Sequence, residues 1–210
     1  MAKLISRKST NIKGKEWEFV SGGGEDEANR LEEIFSSSDR VAVIVGNAYL
    51  DELLTELLKA FLVNDKNTQN SFFDPRGGVI STFGAKVDMA FLLGLISREV
   101  KASLKGTAIL RNKFAHHSAF GSFESLSLKA EKDKAINRDL QDFKKKVLKL
   151  ISDVSVPNNN ADTLRQLYST ILPILETELK ATTDIVRKRA LTEQQGTNSH
   201  FKHISIGSLT

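Results

Sequence analysis

The sequence predicts an all-α protein, a single multi-helix bundle with a flexible segment at each end. Three observations predict this fold class. Apolar residues recur with a period near 3.6 in most of the stretch from residue 25 to residue 191. Hydrophobic residues make up 40% of the 210 positions and charged residues 27%, as in ordinary folded proteins. Cysteine is absent, so neither a disulfide nor a thiolate metal site holds the fold together.

Residues 1–24 are expected to form a flexible N-terminal segment. They mix basic and small residues and end in the run Ser21 to Gly24, whose three consecutive glycines do not hold a helix. Acidic residues follow at positions 25 to 27, where the helix dipole favours negative charge in a first turn. We therefore predict a first helix from about Asp26 to Phe35.

The stretch from Arg40 to Val63 is predicted to be the central core helix. The cap-forming run Ser36 to Asp39 precedes it. Its apolar residues are so dense that most of the helix circumference should be covered. Two apolar sets fit a period of 3.6 rather than 2: Val41, Val45, Leu53, Leu57 and Phe61, and Ile44, Tyr49, Leu54, Leu58 and Leu62.

The middle of the chain is predicted to hold a loop and two further helices. Asn64 to Gly78 is polar and ends in a turn-forming run, so we expect an irregular connection. Helical spacing returns from about Thr82 to Ile96. Ser97 is a plausible N-cap for a fourth helix that reaches about His117 and is bent near Gly106.

The last part of the chain is predicted to contain a surface helix and a long helix. Ser118 to Ser127 is expected to be irregular with packed phenylalanines, and a surface helix is expected within Leu128 to Val154. After a Pro-Asn break, the last helix should run from about Ala161 to Leu191 with a kink at Pro173. Its buried stripe should be Leu164, Leu167, Ile171, Ile174 or Leu175, and Leu179. Residues 192–210 are polar and are expected to form a loose C-terminal tail.

The stretch from Leu110 to His117 carries the strongest candidate for chemistry. Asn112 and His116 lie four residues apart and share a helical face, and the long side chain of Arg111 reaches over the same patch. Arginine binds phosphate oxygens by paired hydrogen bonds, and histidine transfers protons near neutral pH. The alternative is that Arg111 and Asn112 make structural hydrogen bonds to neighbouring helices or loops.

The spacing Arg-Asn-x-x-x-His resembles the catalytic motif of the higher-eukaryote and prokaryote nucleotide-binding (HEPN) superfamily of helical ribonucleases. The resemblance implies that Arg111, Asn112 and His116 are catalytic and that two protomers bring their motifs together in a dimer. It implies no metal and no cofactor.

A second resemblance covers roughly Asp39 to His117. Four ordered blocks, residues 46–54, 83–90, 93–96 and 110–116, are similar to the mannitol operon repressor family. That family implies an all-helical bacterial regulator without a recognisable DNA-reading helix-turn-helix. The family name implies regulation more safely than it implies mannitol.

Several other residues are weaker candidates. Asn47 and Asp51 form an aligned polar pair that is a candidate for binding, or that holds the bundle or the motif in place. Lys113 and His117 flank the motif as binding candidates, although a solvent-facing neighbour is the other interpretation of His117. Residues 129–149 include three consecutive lysines at positions 144–146, with acidic residues distributed through the segment before them, which is typical of a solvated helix face. The alternative is that these lysines bind a phosphate backbone.

These patterns lead us to expect a cytoplasmic regulatory protein that binds a protein partner or nucleic acid rather than an enzyme. The net charge of +4 permits contact with nucleic acid, and the apolar runs are far too short to span a membrane. We expect a homodimer. The alternatives are a metal-independent ribonuclease of the HEPN kind, and a partner-binding module such as an antitoxin or immunity protein.

Overall fold

The computed structural model describes residues 5–10, 16–21, 25–117, 120–151 and 160–201. Within the last three ranges, side chains are described for residues 25–190 apart from Glu27 and Asn160. Eight helices in these ranges pack around one hydrophobic core, which confirms the all-α bundle. None of the helices in the described ranges combines the length and the hydropathy of a membrane-spanning segment.

Two short strands precede the bundle. β1 (Ile5–Thr10) pairs with β2 (Glu16–Ser21) in antiparallel register, with Ile5 opposite Ser21 and Thr10 opposite Glu16. The sequence analysis did not predict this hairpin. The start of β2 alternates polar and aromatic residues with the period of two that is typical of a strand. This alternation could have predicted the strand from the sequence.

The first two helices lie close to their predicted bounds. α1 spans Glu25–Ser36 and α2 spans Asp39–Phe61, with Ser38 as the N-cap of α2. α2 packs against α1, α4, α5 and, along most of its length, α8. Most of its circumference was expected to be covered, but three members of the predicted apolar sets, Val41, Val45 and Phe61, are 45%, 44% and 46% exposed. The helices around α2 leave part of its surface open to solvent.

The connection after α2 contains a helix that was predicted as an irregular loop. α3 spans Lys66–Phe72, and the carboxylate of its N-cap, Asp65, accepts a hydrogen bond of 2.7 Å from the backbone N–H of Thr68. α3 buries none of its own residues, so its apolar pattern is too weak to indicate a helix. α4 spans Phe83–Leu92 and ends before the predicted Ile96, because Gly94 adopts a left-handed φ of 70°.

α5 spans Arg98–His116, as predicted, with Ser97 as its N-cap. It lies beside α7 (Lys134–Val147). A Cβ atom at Gly106 would lie 3.3 Å from Cβ of Lys146, so the glycine lets the two helices approach closely.

The predicted single surface helix in residues 128–154 is two helices, and the predicted irregular stretch before it is partly helical. α6 spans Phe123–Lys132 and α7 begins one residue after Asp133. The Asp133 carboxylate accepts hydrogen bonds from the backbone N–H groups of Ala135 and Ile136, which starts a new helix at that point. Phe120 and Phe123 are buried, as expected.

α8 spans Asn160–Phe201 and continues past the expected end at Leu191. The expected stripe is buried, with Leu175 deeper in the core than Ile174. Pro173 lies inside the helix. Residues 202–210, the end of the predicted loose tail, lie outside the described residues.

Candidate functional site

The three motif residues lie on the solvent-exposed face at the C-terminal end of α5. Arg111, Asn112 and His116 are all exposed. Nη1 of Arg111 donates a hydrogen bond of 2.9 Å to Oδ1 of Asn112. Within the described part of the chain, no side-chain hydrogen bond or ion pair joins any of the three to a neighbouring helix. The described residues thus show no bond of the kind that a structural role of Arg111 and Asn112 between helices would require.

The opposite face of α5 explains why the motif points outward. Leu110 and Phe114 are fully buried, and the Phe114 ring packs edge-on against the Phe123 ring with centroids 5.3 Å apart. Residues four apart, such as Leu110 and Phe114, share a helical face. Because that face is packed in the core, positions 111 and 112 between them face solvent. Ala115 is exposed between the motif residues.

Lys113 and His117, the flanking binding candidates, differ from each other in their contacts. Nζ of Lys113 lies 2.5 Å from Oδ2 of Asp139, and the lysine side chain is only 18% exposed. Lys113 thus joins α5 to α7. His117 is the exposed C-cap of α5, and its ring lies 5.0 Å from the ring of Phe120.

Asn47 and Asp51 hold helices together. Nδ2 of Asn47 donates to the carbonyl of Val43 at 2.9 Å and to the Tyr168 hydroxyl at 3.2 Å, which joins α2 to α8. Oδ2 of Asp51 lies 2.6 Å from Nζ of Lys86, which joins α2 to α4. These contacts agree with the structural role considered for the pair.

Tyr168 is the centre of the contact between α2 and α8. Burial raises the pKa of its hydroxyl above the ordinary value, although the hydrogen bond from Asn47 acts in the other direction. The phenol is therefore neutral. A neutral hydroxyl accepts from Asn47 while it donates to the carbonyl of Val43 at 3.2 Å.

The sequence analysis missed a buried ionic cluster around Arg165. The guanidinium donates to Asp39 at 2.8 Å, to Glu124 at 2.9 Å and to Asp162 at 2.9 Å. Asp39 also accepts from the backbone N–H of Phe123 at 2.9 Å. Arg165 and Asp39 are 5% and 2% exposed, whereas the side chains of Glu124 and Asp162 are 39% and 46% exposed. The cluster thus joins α2, α6 and α8 through a buried ion pair with a partly exposed rim.

Electrostatics within the cluster follow from its geometry. Burial acts to lower the pKa of Arg165, but the neighbouring carboxylates, first Asp39 and then Glu124, raise it. Burial acts to raise the pKa of Glu124, yet hydrogen bonds from its own backbone N–H and from Arg165 lower it to about 2. The Glu124 carboxylate is thus charged at neutral pH. From the sequence, only the ion pair between Arg165 and Asp162 could be predicted, because these residues lie three positions apart on the same helix.

The lysine run at positions 144–146 is a mixed helix face, as expected. Lys144 is half-buried, and burial lowers its pKa. Lys145 is exposed, and Nζ of Lys146 lies 2.5 Å from Oδ2 of Asp142. Since successive residues lie about 100° apart around a helix, the three lysines do not share one face of α7.

Comparison of the chain with protein-family models, with curated proteins and with solved structures gave no match. The resemblances to the mannitol operon repressor family and to the HEPN superfamily therefore stay predictions from sequence blocks and spacing.

Proposed function

We propose that this chain is a regulatory protein that acts by binding a protein partner or nucleic acid through the exposed end of α5. The observation that carries this proposal is the exposure of Arg111, Asn112 and His116 together at the C-terminal end of α5. A guanidinium, an amide and an imidazole presented together suit recognition of phosphate or carboxylate groups. The resemblance to the mannitol operon repressor family supports a regulatory role.

The anchoring of α5 supports the same proposal. Phe114 and the ion pair between Lys113 and Asp139 fix the end of the helix against α6 and α7. A site on a rigid element presents its side chains with less loss of conformational freedom when the partner binds. Asn112 further restrains the Arg111 guanidinium through the hydrogen bond between them.

Site-specific photocrosslinking tests the proposal. A photoreactive phenylalanine analogue replaces Ala115, which is exposed within the motif, and a matched control replaces Ala181, which is exposed on α8. We expect an adduct in cells from position 115 that is lost when Arg111→Ala is added. Sensitivity of the adduct to protease or to nuclease identifies the class of partner. An adduct that survives Arg111→Ala, or equal adducts from both positions, would contradict the proposal.

A second candidate function, metal-independent RNA cleavage, is favoured by the shared face of Asn112 and His116. In this reaction the 2′-oxygen attacks the adjacent phosphorus while His116 accepts the 2′-hydroxyl proton. The bond from phosphorus to the 5′-oxygen breaks, and the 5′-oxygen takes a proton from water, which leaves a 2′,3′-cyclic phosphate and a 5′-hydroxyl. Arg111 would stabilise the charge that develops on the phosphate oxygens. To test this function, transfer RNA and total cellular RNA are incubated without added metal with the wild-type protein or with His116→Ala, and cleavage is measured. Cleavage that His116→Ala abolishes would establish this function, and equal cleavage by both proteins would exclude His116 from it.

A further inference from the structure

An open groove with a volume of about 640 Å3 runs between α1 and α2. Its floor is apolar. Val41 and Val45 are 45% and 44% exposed, and Ala48 is also exposed. Because these positions are separated by four and three residues, they form a continuous stripe along α2, and Ile34 on α1 adds an apolar residue to the opposite wall.

The groove is acidic although the chain as a whole has a net charge of +4. Glu33, Glu52 and Glu56 line it against one cation, Arg30. The guanidinium of Arg30 lies 4.8 Å from the centre of the Tyr49 ring, so it rests on the groove wall. Arg187 approaches Glu56 at 3.7 Å, but both side chains are more than half exposed, and such pairs contribute little.

We propose that this groove is a docking site for a basic amphipathic helix of a partner protein. Apolar residues spaced three and four apart on such a helix would pack on the stripe formed by Val41, Val45 and Ala48. Lysine or arginine on its flanks would reach Glu33 and Glu52. The proposal concerns a surface separate from the α5 motif and does not depend on the function proposed for that motif.

Charge favours a basic helix over a second copy of this chain. Two copies joined symmetrically through this groove would bring together twice its three carboxylates and only twice its single arginine. Like charges at an interface are destabilising, whereas a basic partner neutralises the carboxylates.

The test uses a synthetic helical peptide of leucine and lysine with a single leucine face. Its matched control carries glutamate in place of lysine. Binding to the full chain is measured by fluorescence anisotropy, and amide spectra locate the site. We expect the lysine peptide to shift the signals of Val41, Val45 and Ala48, and the glutamate peptide to bind at least about tenfold more weakly.

Substitutions in the exposed groove sharpen the test without disturbing the core. We expect Val45→Ser and Glu52→Lys each to weaken binding of the lysine peptide by about tenfold. The controls Leu92→Ser and Glu131→Lys, at exposed positions on α4 and α6, should leave it unchanged. Equal binding of both peptides, or binding unaffected by the groove variants, would overturn the proposal. So would a dimer of the chain alone that Val45→Ser dissociates, since it would assign the groove to a second copy.

Discussion

Arg165 and Arg111 have the same side chain in opposite surroundings. Arg165 is 5% exposed and donates to three carboxylates from three helices. Arg111 is exposed, and its hydrogen bond within the described residues goes to its neighbour Asn112 on the same helix. The comparison shows that an arginine that is itself buried and paired with a buried carboxylate maintains the fold. An arginine whose guanidinium N–H groups are exposed to solvent can donate hydrogen bonds to a partner.

The largest expected effect on stability comes from removing the buried arginine, Arg165. Arg165→Ala leaves Asp39, which is 2% exposed, without its guanidinium partner in the interior. We expect the free energy of unfolding to fall by about 3–5 kcal/mol, measured by denaturant titration. Arg187→Ala, which removes an exposed ion pair with Glu56, is the control and should cost less than about 1 kcal/mol. Equal losses in the two variants would show that the cluster does not stabilise the fold.

A pair of glycine substitutions sharpens the account of the buried contact between α2 and α8. A Cβ atom at Gly46 would lie 2.5 Å from the Tyr168 hydroxyl and 3.0 Å from Leu172. Moving the hydroxyl would break its hydrogen bonds to Asn47 and Val43, so Gly46→Ala should destabilise the protein by about 1–3 kcal/mol.

Gly84→Ala is the matched control for this substitution. The added methyl at Gly84 meets no atom within 4 Å, and alanine favours helix, so we expect a gain of up to about 1 kcal/mol. The two substitutions should therefore shift the melting temperature in opposite directions. A fall of equal size in both would contradict this account of the contact.

Acid should weaken the Arg165 cluster through Glu124. The pKa of Glu124 is about 2 in the folded protein against an ordinary value of 4.5. Its contribution is therefore present above pH 4.5 and is lost as the pH falls from 4.5 toward 2. Because the carboxylate is 39% exposed, solvent screening reduces this contribution to about 1 kcal/mol.

The substitution Glu124→Gln tests this pH dependence. It should flatten the dependence of unfolding free energy on pH in the acid range, as followed by circular dichroism. Glu131→Gln, at an exposed glutamate of the same helix, should leave the wild-type profile in place. A profile that Glu124→Gln does not change would show that the contribution of this carboxylate is negligible.

The helices that were predicted correctly have local signals. Ser38 and Ser97 stand directly before long apolar patterns, and each accepts a hydrogen bond from its own first turn. The starts of α3 and α7 were missed because their caps, Asp65 and Asp133, lie in polar stretches where an aspartate is ordinary. A cap without an apolar pattern behind it does not distinguish a helix from a loop.

The candidate site was predictable in its spacing and unpredictable in its surroundings. The shared face of Asn112 and His116 follows from helical geometry alone. The exposure of that face depends on which helices pack against α5, which the local sequence does not contain. The contact between Arg165 and Asp39 could not be predicted from the sequence either, because the two residues lie 126 positions apart in the chain.

Arg111→Ala is the smallest expected effect on stability and the most direct test of the contrast between the two arginines. We expect the free energy of unfolding, measured by denaturant titration, to change by less than about 0.5 kcal/mol, because the removed side chain is exposed. That result would leave Arg111 available to a partner. A loss above about 1 kcal/mol would show instead that Arg111 maintains the fold, and it would contradict the proposal that the end of α5 is a binding surface.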